Sequence, residues 1–395
     1  MKYLLKISNL FVFMFLHRLI LFYTLYITIL KYQGFAPIII SLTMVLHECG
    51  KLIADTHTGA MADKYGIRKI MAIGLCIKAF GIMLWIFEVN ILLYFVGMFL
   101  LGVGRSCTVG GKIETYTYNM LFSLKKEHIF QDIWLGMLMI DGLAATLSGW
   151  LAGFLYTIGG FNLGLIFSVF IILVIHVPFV IFVMPDPVMS IRKTTTKLSI
   201  NDIIKSAIRL IKQDNSIFLL IIGTALVPSL FIILGKFKLF ICNDIGLPVF
   251  QIANIDSLSH FLQFLCTPIF LILLKKYKYQ LTFLNNLYLV ALSLLILILA
   301  NFWYKMSVIY AIMFFITIYP IISSSIKYSL EKTLPSDIRA TISSITSFVY
   351  SIFNTIFLLA IGIIAQFFSY QISLFVVSAF CLITILILIK YQKNI

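Results

Sequence analysis

The sequence predicts an all-α membrane protein of twelve transmembrane helices in two six-helix bundles, with both termini in the cytoplasm. Three observations carry that reading. The 395-residue chain is 61% hydrophobic and only 11% charged, whereas soluble domains carry about 25% charged residues. Apolar runs of about 18 residues or more recur from end to end, each long enough to cross a bilayer as a helix. Between them, basic residues collect in every second loop. Such a composition excludes a water-soluble enzyme. The net charge of +15 is spread over short loops, which also argues against a nucleic-acid partner.

The spans are expected at 9–30, 36–58, 69–88, 91–118, 130–157, 162–184, 215–241, 249–274, 281–300, 304–329, 338–364 and 369–390. They are helices because lipid offers no hydrogen-bond partner to an open backbone. The first run has no small-residue cleavage site and is followed by further spans, so it reads as a retained helix. One side of the membrane collects Lys2 and Lys6, Lys64, Arg68 and Lys69, Lys125 and Lys126, and the basic loop from Arg192 to Lys212. Further along it collects Lys275, Lys276 and Lys278, Lys332 and Arg339, and Lys390 and Lys393. The other side holds Lys31 and Lys305 beside Glu88 and Asp244. The alternation puts the first side in the cytoplasm.

The longest loop, 185–214, separates an N-terminal bundle, 1–184, from a C-terminal bundle, 215–395. Within it Ile200, Ile203, Ile204, Ala207, Ile208 and Ile211 follow helical spacing behind a Ser199–Asp202 start signal,. Lys205, Arg209 and Lys212 lie off that stripe. The pattern fits a helix lying on the anionic inner leaflet, or equally one packed on the cytoplasmic ends of the bundle. The six cysteines (49, 76, 107, 242, 266 and 381) form no CxxC pair and read as buried small residues. No metal site or cofactor is expected.

Charges gather at LHECGKLIADTHTGAMADKYGIRK, residues 46–69. His47, Lys51 and Asp55 repeat every four residues along the second span, so they share one face, with Glu48 beside it. Charged groups near the bilayer centre cost about 2.5–3.5 kcal/mol each on insertion scales. The stripe should therefore face other helices or a water-filled cavity. Two readings stand: a coupling or solute site, or a structural Glu48–Lys51–Asp55 ladder. Arg105, Lys112 and Glu114 charge the fourth span, Asp141 the fifth, Lys78 the third, and His17 and Arg18 the first. Lys236 and Lys238 charge the seventh span and Lys327 the tenth; in the eighth, Asp256 and His260 are one turn apart and could pair. A proton-coupled cycle needs a carboxylate or histidine that burial and neighbours tune, and Asp55, Glu48 and Asp141 are the best placed. His17 and His47 read as core histidines.

Residues 59–69, GAMADKYGIRK, resemble the signature loop of the major facilitator superfamily, roughly G-x-x-x-D-(R/K)-x-G-(R/K)-(R/K). Gly59, Asp63, Lys64, Gly66, Arg68 and Lys69 fit, and Ile67 stands for one basic residue. GGKIETYTYN (110–119) is similar to the end of the fourth span in many bacterial members, with Glu114 matching. LPSDIRATISS (334–344) is similar to the segment entering the eleventh span, with Pro335, Arg339, Ala340 and Thr341 in place. The resemblance implies two bundles rocking around a site near the midplane. It implies that Asp63 meets the start of the helix near Ile338 as part of a cytoplasmic gate. It makes Glu114, Pro335 and Arg339 structural contacts at that end, and Arg105 a counterpart of a coupling arginine.

The function so implied is secondary active transport of a small solute, coupled to protons or another ion. Efflux is slightly favoured by the fourth-span pattern, and uptake of a polar metabolite is the alternative. The fifth-span stretch DGLAATLSGWLAG (141–153) keeps small residues but lacks the proline that drug/proton antiporters carry. A non-transporting sensor or scaffold on the same fold is the reading from another class. HECGK lacks the second histidine of a zinc-protease motif, and GVGRSCTVGG lacks the lysine and the strand of a nucleotide loop, so no enzyme is expected. The lipid bilayer and a small molecule are the partners. The architecture points to a monomer in a bacterial inner membrane.

Overall fold

The computed structural model describes residues 2–87, 90–108, 112–126, 129–184, 215–276, 282–302, 305–333 and 339–393. Among the described residues the chain is helical, with no strand. The helices are α1 (Lys2–Arg18), α2 (Phe22–Tyr32), α3 (Pro37–Tyr65), α4 (Ile67–Ile86), α5 (Ile91–Thr108) and α6 (Lys112–Ser123). Helix α7 (Phe130–Phe170) continues into π-helical stretches at Ile171–His176 and Phe179–Val183. Then come α8 (Asn215–Asp244), α9 (Val249–Lys276), α10 (Phe283–Asn301), α11 (Lys305–Thr333), α12 (Arg339–Phe367) and α13 (Tyr370–Lys393).

Among the described residues ten stretches are long and apolar enough to cross a membrane, and one of them, Asp132–Val183, has 52 residues. At about 1.5 Å per residue it would be more than twice the roughly 30 Å of a bilayer core. It is therefore two passes. Gly159 (φ −142°, ψ 22°) and Gly160 (φ 66°) leave the helical conformation and divide it, within the turn expected between the fifth and sixth spans. Helix α9, with Asp256, His260 and Gln263 along it, supplies the twelfth pass. The amphipathic segment expected in 185–214 lies outside the described residues.

Three local departures from the expected spans have physical causes. The first span is not continuous. Helix α1 stops at Arg18 and α2 starts at Phe22. The Leu19 N–H still donates to the Phe15 carbonyl at 2.9 Å, and the Tyr23 N–H takes the tighter bond to the Ile20 carbonyl at 3.3 Å. The Phe22 N–H donates to the Ser168 hydroxyl at 3.1 Å, which itself donates to the Gly164 carbonyl at 2.8 Å. A broken helix survives in lipid when side chains satisfy the freed backbone in this way.

The sixth span shifts to a π ladder around Pro178. The Val177 N–H reaches back to the Ile172 carbonyl, and the Met184 N–H to the Phe179 carbonyl. Pro178 has no N–H to give, and the wider turn absorbs the gap.

The expected loop 59–69 is mostly helix. Helix α3 runs through Gly59, Asp63 and Lys64 to Tyr65, and α4 restarts at Ile67. The whole turn is Gly66 at φ 95°, ψ 135°, a conformation open to glycine and strained for other residues.

The described residues group into two compact units. The first holds spans one to six together with Gly246–Phe264 from the eighth-span region; the second holds α8, the rest of α9 and the helices after it. In the first unit, α3 and α5 approach backbone to backbone. A Cβ on Gly50 would fall on the Phe99 carbonyl, and one on Gly102 on the His47 carbonyl. Small residues are how membrane helices come this close.

In the second unit α8 packs against α11, α12 and α13. Phe231 stacks on Tyr319 with ring centroids 3.6 Å apart, and Phe240 on Tyr370 at 4.4 Å. Just past Pro228 the Ser229 hydroxyl is shared between the Ala225 and Tyr350 carbonyls. Large apolar side chains such as Phe80, Leu292 and Phe380 are exposed, as a surface solvated by acyl chains requires.

A Cβ at Gly66 would meet no atom within 4 Å, so only backbone strain opposes substitution there. Gly66→Ala and Gly66→Val are expected to destabilise the protein alike, by about 1–3 kcal/mol. Melting in detergent, compared with Gly34→Ala (φ 77° in an exposed turn), checks this.

Candidate functional site

The break in the first span puts Arg18 at the end of α1, one step before the chain loses helical form. Its Nε lies 3.7 Å from Oδ2 of Asp141 on α7, and the two side chains keep 30% and 28% of their surface accessible. The pair therefore opens onto space that water or a solute can enter. Arg18 Nη2 lies 3.4 Å from Nε2 of His260 on α9. The His260 Nε2 is in turn 3.9 Å from Oδ1 of Asp256, one turn earlier on that helix, and the Thr24 hydroxyl donates to Asp256 Oδ2 at 3.3 Å. The expected Asp256–His260 pairing is thus present.

A guanidinium can only donate, so Nε2 accepts whenever Arg18 bonds to it. In that tautomer the proton sits on Nδ1, which lies 3.3 Å from Gln263 Oε1. Adding a second proton would turn Nε2 into a donor. It would then repel Arg18 and favour Asp256. The site has two pairings, and one proton separates them.

A small cavity lies within this constellation, lined by Arg18, Ile20, Tyr23, Thr24, Ala145, Ser148 and Asp256. It has room for about one water, and its walls are mainly polar side chains. Close packing of α7 on the first part of α9 builds one wall. A side chain at Gly149 would collide with the Ser257 hydroxyl, and one at Gly153 would meet the Ala253 Cβ at 3.0 Å. The small residues noticed in 141–153 are therefore the seat of the eighth span.

The 47–55 stripe faces inward as expected. His47, Glu48 and Lys51 are buried and Asp55 half-buried. The stripe meets α5: the Ser106 hydroxyl donates to Asp55 Oδ1 at 2.6 Å and lies 3.0 Å from the Thr58 hydroxyl. His47 Nδ1 is 3.3 Å from Glu48 Oε1. The charges of both Glu48 and Asp256 act on the Tyr26 hydroxyl, so the stripe and the cavity share a neighbour. The charge of Arg105 acts on Tyr23 and Asp141.

At the turn between α3 and α4, Arg68 Nη1 donates to the Met184 carbonyl at 2.9 Å, a cation on the last carbonyl of the sixth span. Lys69 is exposed. The side chains of Asp63, Lys64, Glu114 and Arg339, and the whole of Pro335, lie outside the described residues. So does the expected meeting of Asp63 with the eleventh span.

These features match a known family. The Major Facilitator Superfamily model matches residues 7–358. The chain belongs to that superfamily. Its fold is that of a membrane transporter and not of an enzyme. Two similar solved structures are those of the nucleoside transporter NupG and of an aspartate-to-alanine mutant of it. The first is 14% identical over 98% of this chain and 99% of the other, with a TM-score of 0.70. The second is 16% identical over the same shares, with a TM-score of 0.73. At that identity the likeness is one of fold. No curated protein sequence matches.

Of the site residues read from the sequence, the structure brings Asp141 to Arg18, which lines the cavity, and seats the stripe of His47, Glu48, Lys51 and Asp55 against α5. Sequence reasoning noticed Arg18 as a buried charge and paired Asp256 with His260, but did not bring Arg18 to that pair. Tyr23, Thr24 and Ser148 carry no signal that a single sequence shows.

In a double-mutant cycle of Arg18→Gln with Asp141→Asn, the two effects on melting are expected to be non-additive. The coupling should be about 0.5–3 kcal/mol, at the lower end because the pair is part exposed. Strict additivity would remove the pair from the site.

Proposed function

We propose that the chain is a proton-driven secondary transporter that carries a small polar solute by alternating access and binds it at Arg18, Asp141, Thr24 and Asp256. One observation carries the reading. Opposite charges from the first, fifth and eighth spans meet around a polar cavity, where charges are tolerated only if they serve each other or a ligand.

The cavity favours a solute rich in hydrogen-bonding groups over a lipophilic drug. That supports uptake of a polar metabolite over efflux, whose support is the fourth-span resemblance. Nucleosides are the first class to test. They carry hydroxyls for Asp256 and Thr24 and a ring for Tyr23, and one transporter of this fold, seen in two solved structures, carries that name. In the cycle, a solute that engages Arg18 competes with Asp141 for the guanidinium. The change in pairing is what binding energy has to drive.

The same proposal includes two bundles, 1–184 and 215–395, joined by 185–214. It places both termini on the cytoplasmic side of a bacterial inner membrane, in a monomer. It keeps Gly59, Asp63, Lys64, Gly66, Arg68 and Lys69 as a gate with Glu114, Pro335 and Arg339. His47, Glu48, Lys51, Asp55 and Arg105 support the site from the second and fourth spans.

The test is uptake and counterflow of labelled uridine and adenosine in proteoliposomes, with inside-alkaline and reversed pH gradients. Gradient-dependent accumulation, reduced tenfold or more by Arg18→Gln, is the expected outcome. Stabilisation and flux of lipophilic cations instead would establish efflux. No flux of any solute, with normal folding, would leave the scaffold reading.

A further inference from the structure

A second group of ionisable side chains lies beside this site, and the binding of a polar solute makes no use of it. His17 on α1, Lys78 on α4 and His176 at the end of the first π stretch come together. Lys78 Nζ is 3.5 Å from His17 Nε2, and the two imidazole centroids are 6.1 Å apart. Phe13 lies against both rings, with centroids 5.9 Å from His17 and 5.0 Å from His176. Lys78 and His176 have no exposed surface, while His17 is half-buried.

Neither nitrogen of His176, nor Nδ1 of His17, has a hydrogen-bond partner. A buried imidazole with both nitrogens unsatisfied is a rare and costly arrangement that asks for an explanation. The charged and titratable groups acting on the three residues are each other, Arg18 on α1, and Arg105 and Cys107 on α5. Among the described residues no carboxylate is one of them. A structural ion pair is therefore not what holds these groups together.

We propose that His17, Lys78 and His176 form the proton-binding site of the transport cycle. The inference rests on the secondary-transport reading and gives its coupling ion a location. Three bases in close contact, with no carboxylate beside them among the described residues, accept protons one at a time because each added charge raises the cost of the next. His17, the accessible member, is where a proton enters. Lys78 Nζ is within reach of its Nε2, and His176 offers two free lone-pair or N–H positions behind it.

The two imidazoles also stand on the two deformable points of the unit. His17 is the residue before Arg18, where the first span breaks, and His176 ends a π-helical stretch. Single π turns are frequent at functional sites. A charge arriving at His17 stands one residue from Arg18 and shifts the guanidinium between Asp141 and His260. Proton and solute are thereby linked through adjacent residues of the broken span.

The first test needs no solute. In detergent, the melting temperature of the full chain is followed between about pH 5 and 8, the range in which imidazoles titrate. The melting temperature of the wild type is expected to step down as the pH falls below the ordinary imidazole range, and the step to be smaller in His17→Phe and in His176→Phe. His176→Phe keeps the ring volume and removes the two unsatisfied nitrogens, so it should fold at least as stably as the parent. A step of the same size and midpoint in both variants would overturn the proposal, whatever the solute proves to be.

The second test uses proteoliposomes and labelled uridine. Lys78→Met and His176→Phe should keep counterflow within about twofold and lose at least tenfold of accumulation driven by a pH gradient. Variants that accumulate uridine like the parent would overturn it as well. Absence of uridine counterflow in the wild type would count against the transport reading alone, since the pH step stands by itself.

Discussion

Arg18 stands where the first span loses its helical backbone. The arrangement of the first unit follows from satisfying two demands that meet there. The guanidinium cannot shed its charge and must be paired. The N–H groups freed by the break must be hydrogen-bonded, because lipid supplies nothing. Asp141 and His260 meet the first demand. Ser168 meets the second. To bring them in, the fifth, sixth and eighth spans must lie close to the first. The small residues of the fifth span allow it: Gly149 lies against Ser257 and Gly153 against Ala253. A site of opposite charges in an apolar unit is thus the product of one broken helix and one smooth helix face.

The same logic explains why the second span could be read correctly in burial and incompletely in role. The i, i+4, i+8 spacing of His47, Lys51 and Asp55 fixes a common face, and a charged face in lipid must point inward. Which helix receives it is a tertiary fact. The fourth span does, through Gly102 under the His47 carbonyl and Ser106 on Asp55. Asp55 therefore comes into contact with a hydroxyl of its own packing partner, while Asp141, on a helix with no nearby charge in sequence, meets Arg18.

Span number and composition class were legible because hydrophobic length and loop charge act locally along the chain. The family was legible through Gly66, whose positive φ makes the residue type obligatory, and through the basic residues around it. The break after Arg18 was not legible. No proline or glycine marks it, and its support, Ser168, is 150 residues away in sequence. The π register around Pro178 has no sequence signature beyond the proline itself. His176 stands out in no way along an apolar run, where a lone histidine is usually a satisfied one. Its isolation from hydrogen bonds appears only when the neighbouring helices are in place.

The first and sixth spans carry the two weakest points of the backbone ladder, and they are tied together. Ser168, one of the last residues of α7, closes the break in the first span. The π stretch begins three residues later, and His176, at its end, faces His17, at the break. A regular pair of helices would resist bending because every residue holds a hydrogen bond that bending must strain. Here the bonds at both points are already wider, shared or supplied by a hydroxyl, so less is lost when the local geometry changes. A change in charge at His17 or His176 acts where the backbone opposes it least. Arg18, next in the chain, moves with it. On the proposed coupling, a proton taken up there would reach the solute site through adjacent residues of the broken span, without first unpacking a helix.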